Sequence, residues 1–348
     1  MWRNIFLLGC MLAFVLPTFP VTAAQTTQKS AHVKKTIAKA KLKRAKTAAV
    51  KRAKNRIHSS KIISTLRANQ NYRLQRANYT RNDSVFQNGD SSELRLESSK
   101  ALIINQNTGE VLYAKNTDVT TPIASVTKLM TAMVMLDAHV SMDEIITITD
   151  ADLDMLKGTG SRLRVGSQLS RGELLQLALM SSENRAASAL ARTTFAEGMP
   201  AFVSAMNRKA LELGMVHSRF ADGTGLNSEN VSTAEDLAKM VKAAYQYPEI
   251  RQVTTTPSYE VAVHGVRRPV SFLNTNILVR NSTWDIGLSK TGYISEAGRC
   301  LVMQAQIAEQ PLIIVLLDSW GKYSRIGDAQ RIKKWIESSN ELRHSTRS

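Results

Sequence analysis

The apolar positions of the chain change period several times, and each change predicts a different element. Residues 5–16 form one nearly unbroken apolar run closed by Pro17 and Pro20. A long polar stretch follows. From about Ser92 a folded texture begins, with short apolar runs at 101–105 and 110–115 around a turn at 107–109, which predict two paired strands. Helical spacing then takes over at 124–139, 171–180, 184–198, 199–214 and 232–247. Pro200 stands early in one of these helices and Gly214 at its end, while Ser232 and Glu235 match a capping box for another. Strand patterns return at 258–264, 286–294, 299–307 and 311–318. A last helix over 324–339 places Ile326, Ala329, Ile332 and Ile336 on one stripe.

Strands open and close this region, and helices fill its middle. The simplest closure is an α+β domain in which an antiparallel sheet pairs first strands with last and is flanked by helices. The expected layout is a leader over 1–24, a separate segment over 25–91, the domain over 92–338 and a short C-terminal tail over 339–348.

Charge separates the second segment from the domain. Residues 1–82 hold 18 Lys or Arg and no Asp or Glu, leaving 28 basic and 29 acidic residues in the remainder. All the excess of the +17 chain therefore lies in the N-terminal part. Like-charge repulsion and few large apolar groups argue against a packed domain there, although Lys and Ala favour transient helix. Arg3, the apolar run and the small residues at 22–24 read as a secretory signal cleaved near Ala23 or Ala24. The run is short for a bilayer span. Cys10 falls inside it, too early for a lipoprotein box. Export makes nucleic acid a poor partner for the basic segment and favours an anionic envelope surface; a solvated linker is the plain alternative. Beyond the leader only Cys300 remains, so there is no internal disulfide framework, and its alternating apolar surroundings suit a buried small hydrophobe.

Candidate chemistry sits at three places. Ser125 and Lys128 lie three residues apart on a helical pattern, hence on one face. A serine needs a base, and a lysine becomes one when burial or nearby cations lower its pKa. The expected position at a helix start also favours developing negative charge. Ser182 and Asn184 break two helices and offer a proton relay and an amide holder, although such a pair is often only a helix cap. Lys290, Thr291 and Gly292 lie in a strand pattern, where glycine admits a close ligand and the other two donate to a carboxylate. Each motif alone is common. The six histidines show no ligand spacing, so no metal or other cofactor is implied.

The ordered set Ser-x-x-Lys, Ser-x-Asn and Lys-Thr-Gly, 57 and 108 residues apart, resembles that of penicillin-binding proteins and serine β-lactamases. The segments "FADGTGLNSENVSTAEDLAKM" and "FLNTNILVRNSTWDIGLSKTGYISEAGRCLVMQA" resemble the D-alanyl-D-alanine endopeptidases of the penicillin-binding protein 7 group. That resemblance implies the β-lactamase/D,D-peptidase-like fold, with a helical subdomain beside the sheet. It implies Ser125 as nucleophile, Lys128 as general base and Ser182 in the proton network. Asn184, Lys290, Thr291 and Gly292 would hold substrate, and the backbone N–H groups of Ser125 and Tyr293 would form the oxyanion hole. Peptidoglycan stem peptides and crosslinks would be the substrates, β-lactams covalent inhibitors, and the periplasm the compartment. Rival readings are a D-alanyl-D-alanine carboxypeptidase, a β-lactamase (for which Glu212 gives no clear deacylation motif) and a non-catalytic wall-binding protein.

Overall fold

The structure, a computed structural model, describes residues 94–263 and 268–345. The leader and basic segment expected at 1–24 and 25–91 lie outside the described residues. In chain order the domain opens with β1 (Lys100–Asn105), β2 (Val111–Lys115) and β3 (Thr121–Pro122). A 3-10 turn (Ala124–Thr127) leads into α1 (Lys128–Asp137), followed by β4 (Ile145–Thr147) and β5 (Gln168–Ser170). Then come α2 (Arg171–Met180), α3 (Asn184–Thr194), α4 (Met199–Glu212), β6 (Val231–Ser232), α5 (Ala234–Ala244) and α6 (Pro248–Thr255). The chain ends with β7 (Ser258–Val261), β8 (Val270–Leu273), β9 (Asp285–Ile294), β10 (Gly298–Ile307), β11 (Gln310–Ser319) and α7 (Ser324–Ser345).

The main sheet is antiparallel in the order β2-β1-β11-β10-β9. The first strands do pair with the last: Ile103 faces Ile314 across β1 and β11. β11 is buried on both faces, which is why it reads as a continuous apolar run; β10 keeps an alternating end at Gln304–Ile307. Leu312, Ile314 and Leu316 turn to one side, against Ile326, Ala329, Ile332 and Ile336 of α7. Ile313, Val315 and Leu317 turn to the other, into the larger core shared with α1–α5. β9 is left at the sheet edge.

α1 runs through the middle of the helical layer, with every residue from Lys128 to Met135 buried. A helix enclosed on all sides has no need of a polar face. Local differences from the sequence expectation have physical causes. Ser125 lies in the 3-10 turn before α1, not in the α-helix itself. α5 is capped by Thr233, whose hydroxyl accepts the Asp236 N–H; Ser232 instead meets Ser218, and Glu235 accepts from Thr117. The expected capping box is replaced by a single N-cap one residue on: Ser232 pairs with Thr121 in β6, and the Asp236 carboxylate turns to the His217 N–H and the Ser218 hydroxyl rather than back to Thr233. α3 stops at Thr194 and α4 at Glu212, and α7 continues to Ser345, past the expected boundary at 338. β7 falls within the strand expected at 258–264, whereas its partner β8, the β4–β5 pair and α6 carried too short a pattern to be read in advance.

Candidate active site

The main-chain entry to α1 is forced. Ala124 adopts φ +48°, a left-handed conformation costly for a residue with a Cβ. Two glycines make room for it. A Cβ on Gly225, at φ +80°, would lie 1.9 Å from the Ala124 carbonyl oxygen. One on Gly292 would lie 3.0 Å from the Ala124 Cβ and 3.1 Å from the Ser125 nitrogen. The loop after α4 and the edge strand β9 therefore press directly on the turn that carries Ser125.

Lys128 is 1% exposed, and its Nζ lies 2.8 Å from Ser125 Oγ. It also donates to Asn184 Oδ1 and to the Thr224 carbonyl, both at 2.7 Å. Burial lowers its pKa to about 7, against the opposing pull of Asp222, Glu183 and Asp154. Near neutral pH a large fraction of this amine is uncharged, with a lone pair available to a hydroxyl proton.

Ser182 and Asn184 arrive from the break between α2 and α3. Ser181 Oγ returns to the Leu177 carbonyl at 2.7 Å, and Ser182, at φ +62°, reverses the chain so that Asn184 opens α3. Lys290 of β9 is also 1% exposed and donates to Ser182 Oγ at 2.8 Å and to the Thr291 carbonyl at 2.9 Å. Its pKa falls well below the ordinary lysine range, through burial first and then the neighbouring charges of Lys128 and Arg325. Thr291 Oγ1 meets Thr275 Oγ1 at 2.7 Å. Tyr293 is 58% exposed at the outer end of the strand, with the Arg299 guanidinium 4.6 Å above its ring. All three sequence motifs are thus joined side chain to side chain around one cleft.

Residues not singled out from the sequence complete this arrangement. Asp222 organises the loop that supplies Thr224 and Gly225. Its Oδ1 accepts from Thr224 N, Gly225 N, Thr224 Oγ1 and Asn230 Nδ2, and its Oδ2 from Asn227 N. Asp-Gly-Thr-Gly-Leu-Asn is a turn signature that could have flagged it. Glu183, between Ser182 and Asn184, has its carboxyl raised by burial, although Ser161, Lys128, Arg185 and Arg162 all favour its charged form. Arg325 reaches from α7 to the Gly292 carbonyl at 3.4 Å, with its own pKa lowered to about 10 by burial and then Arg299. It adds a second cation to the β9 end of the cleft. Cys300 is buried against the Ala297 carbonyl with its thiol pushed up to about 11, which makes it inert. Among the described residues, no group of three or more His, Cys, Asp or Glu is placed to hold a metal ion.

A family model described as D-alanyl-D-alanine carboxypeptidase matches residues 87–321. The chain is 50% identical over 242 residues to a D-alanyl-D-alanine endopeptidase of Pseudomonas aeruginosa, covering 70% of this chain and 78% of that one. It is 44% identical over 247 residues to the D-alanyl-D-alanine endopeptidase of Escherichia coli, covering 71% and 79%. Among solved structures, the Streptomyces K15 DD-transpeptidase superposes with a TM-score of 0.64 at 29% identity, covering 69% of this chain and 97% of that one.

Proposed function

Because the chain belongs to the D-alanyl-D-alanine carboxypeptidase family, we propose that it works on peptidoglycan mainly as an endopeptidase, cleaving D-alanyl crosslinks through an acyl-enzyme on Ser125. It is a serine D,D-peptidase of the β-lactamase-like fold. The observation that carries the catalytic reading is the buried Lys128 amine, with a pKa of about 7, 2.8 Å from the Ser125 hydroxyl.

In this reading Lys128 Nζ takes the Ser125 proton as Oγ attacks the D-Ala carbonyl carbon. The resulting oxyanion is held by the backbone N–H groups of Ser125 and Tyr293, donors whose removal typically costs about 10²–10³-fold in rate. The tetrahedral intermediate collapses and expels the leaving amine, which receives its proton through Lys128 and the Ser182–Lys290 pair. Asn184 holds the donor peptide's amide. Lys290 and Thr291, supported by Arg325, face an anionic group on the leaving side. Gly292 lets the peptide lie close along β9. Water then attacks the ester, with Lys128 again as base, and releases the donor peptide. β-Lactams enter the same route and remain as the acyl-enzyme. The leader expected over 1–24 and the wall-acting relatives support a periplasmic site of action; no described helix is long and apolar enough to cross a membrane.

The test pairs a crosslinked muropeptide dimer with a monomeric pentapeptide and a fluorescent penicillin. The expected result is dimer cleavage and penicillin labelling, both abolished in Ser125→Ala. Labelling that survives in that variant moves the nucleophile elsewhere. Hydrolysis of the pentapeptide with the dimer untouched makes the enzyme a carboxypeptidase, the second reading, which the family description supports.

A further inference from the structure

The loop between Asp154 and Thr159 is held in shape by one carboxylate. Asp154 Oδ1 accepts the N–H groups of Leu156 and Lys157, both at 2.9 Å. Its Oδ2 accepts the N–H of Thr159 at 2.8 Å and its hydroxyl at 2.6 Å. Gly158, at φ +65°, permits the tight reversal between them.

This loop is attached to both walls of the cleft. On one wall, Asn184 Nδ2 donates to Thr159 Oγ1 at 3.0 Å. On the other, Lys157 Nζ pairs with Glu296 Oε1 at 2.6 Å, and Glu296 lies in the turn between β9 and β10. Lys290 and Ser182 also join the same two walls. The contacts therefore close a ring: Ser182 and Asn184, then Thr159, Lys157 and Glu296, then β9 back to Lys290. Ser125 is joined to this ring at Asn184 through Lys128.

We infer that Lys157 and Glu296 form a clasp across the mouth of the cleft, and that this clasp must open for a crosslinked peptide to enter. The inference rests on the endopeptidase reading. A linear peptide with a free C-terminus can thread a closed ring end first. A crosslink offers no narrow end, because its leaving group is a branched residue embedded in a second peptide. It must enter sideways, which requires one link of the ring to part. Lys157 is the link suited to that. Asp154 holds Thr159 by two bonds, whereas Lys157 reaches Glu296 on a flexible four-carbon stem that swings without backbone movement. Its side chain and that of Glu296 are 26% and 24% exposed, so water competes for the pair and opening is cheap. Glu296 is steadied by the Ser295 hydroxyl at 2.7 Å, which leaves the lysine as the moving half.

The experiment compares wild type, Lys157→Ala, Glu296→Gln and the charge swap Lys157→Glu/Glu296→Lys. Each is given a disaccharide-bearing crosslinked dimer, a monomeric pentapeptide and fluorescent penicillin, at low and high salt. The single variants are expected to keep penicillin labelling and pentapeptide kcat/KM. Their dimer-to-pentapeptide ratio of kcat/KM should rise by about two- to fivefold, the range expected of a partly exposed ion pair. The swap should return the ratio to that of wild type. Raising salt should increase the ratio in wild type and leave it flat in the single variants, because only the former has a pair to screen. A ratio that stays constant or falls in the single variants overturns the clasp, as does a swap that behaves like them. Absence of dimer cleavage in every form, with the pentapeptide hydrolysed, instead overturns the endopeptidase reading beneath it.

Discussion

Lys128 illustrates how a single residue acquires a function from its surroundings. An ordinary lysine stays protonated until about pH 10.4 and offers no lone pair at neutrality. Enclosure by α1, α3 and the Asp222 loop removes the solvation that stabilises its charge, and its pKa drops to about 7. Since the neutral amine is the active form, penicillin acylation should rise with pH through about 7 and decline on the acid side. Stopped-flow acylation across that range checks the limb; a rate independent of pH there removes Lys128 as the base. Lys128→Ala should slow acylation by roughly 10²–10⁴-fold. Lys128→Arg should not rescue it, since a guanidinium keeps its proton throughout. The three partners of Nζ were only partly legible beforehand. The i, i+3 spacing brings Lys128 to Ser125, but Asn184 and the Thr224 carbonyl come from 56 and 96 residues away.

At the scale of elements, the N-terminus of α5 separates a sequence signal from its use. Ser232 and Glu235 have the spacing of a capping box, yet so do Thr233 and Asp236 one step on. Pairing of β6 with β3 occupies Ser232 and leaves the cap to Thr233. Thr233→Ala should therefore cost about 1 kcal/mol of stability. Glu235→Ala should cost less than about 0.5 kcal/mol, because it loses only an exposed contact with Thr117. Chemical denaturation of the two variants distinguishes them; equal losses would contradict the shifted cap. Shortness explains why β4, β5 and β8 were not expected. A strand of three residues, such as Ile145–Thr147, shows no period, and only its partner at Gln168–Ser170 gives it identity.

For the whole molecule, charge and chemistry are segregated. The described site is built from the near-neutral region after residue 82, and the excess of Lys and Arg lies before it. Deleting residues 29–61 should leave cleavage of soluble muropeptides within about twofold of wild type. It should also weaken attachment to purified envelopes, in a manner that fades with salt as screening shortens to about 8–10 Å at physiological ionic strength. Sedimentation of both forms at low and high salt is the measurement. Equal and salt-independent attachment reduces that segment to a spacer.

Much of this protein was decided locally. The strand pattern of β10, the apolar run of β11, the stripe on α7 and the order of three short motifs follow from nearest-neighbour chemistry and spacing, so the antiparallel sheet, its closure of first strands on last and the family were legible from residues alone. The cleft was not. Its parts depend on contacts between segments far apart in the chain: Gly225 against Ala124, Arg325 against Gly292, the Thr224 carbonyl against Lys128, and Lys157 across to Glu296. No period or propensity encodes such pairs. Each exists only because packing two layers of structure brings the side chains within reach, and the same packing removes the water that would otherwise keep Lys128 and Lys290 as ordinary cations.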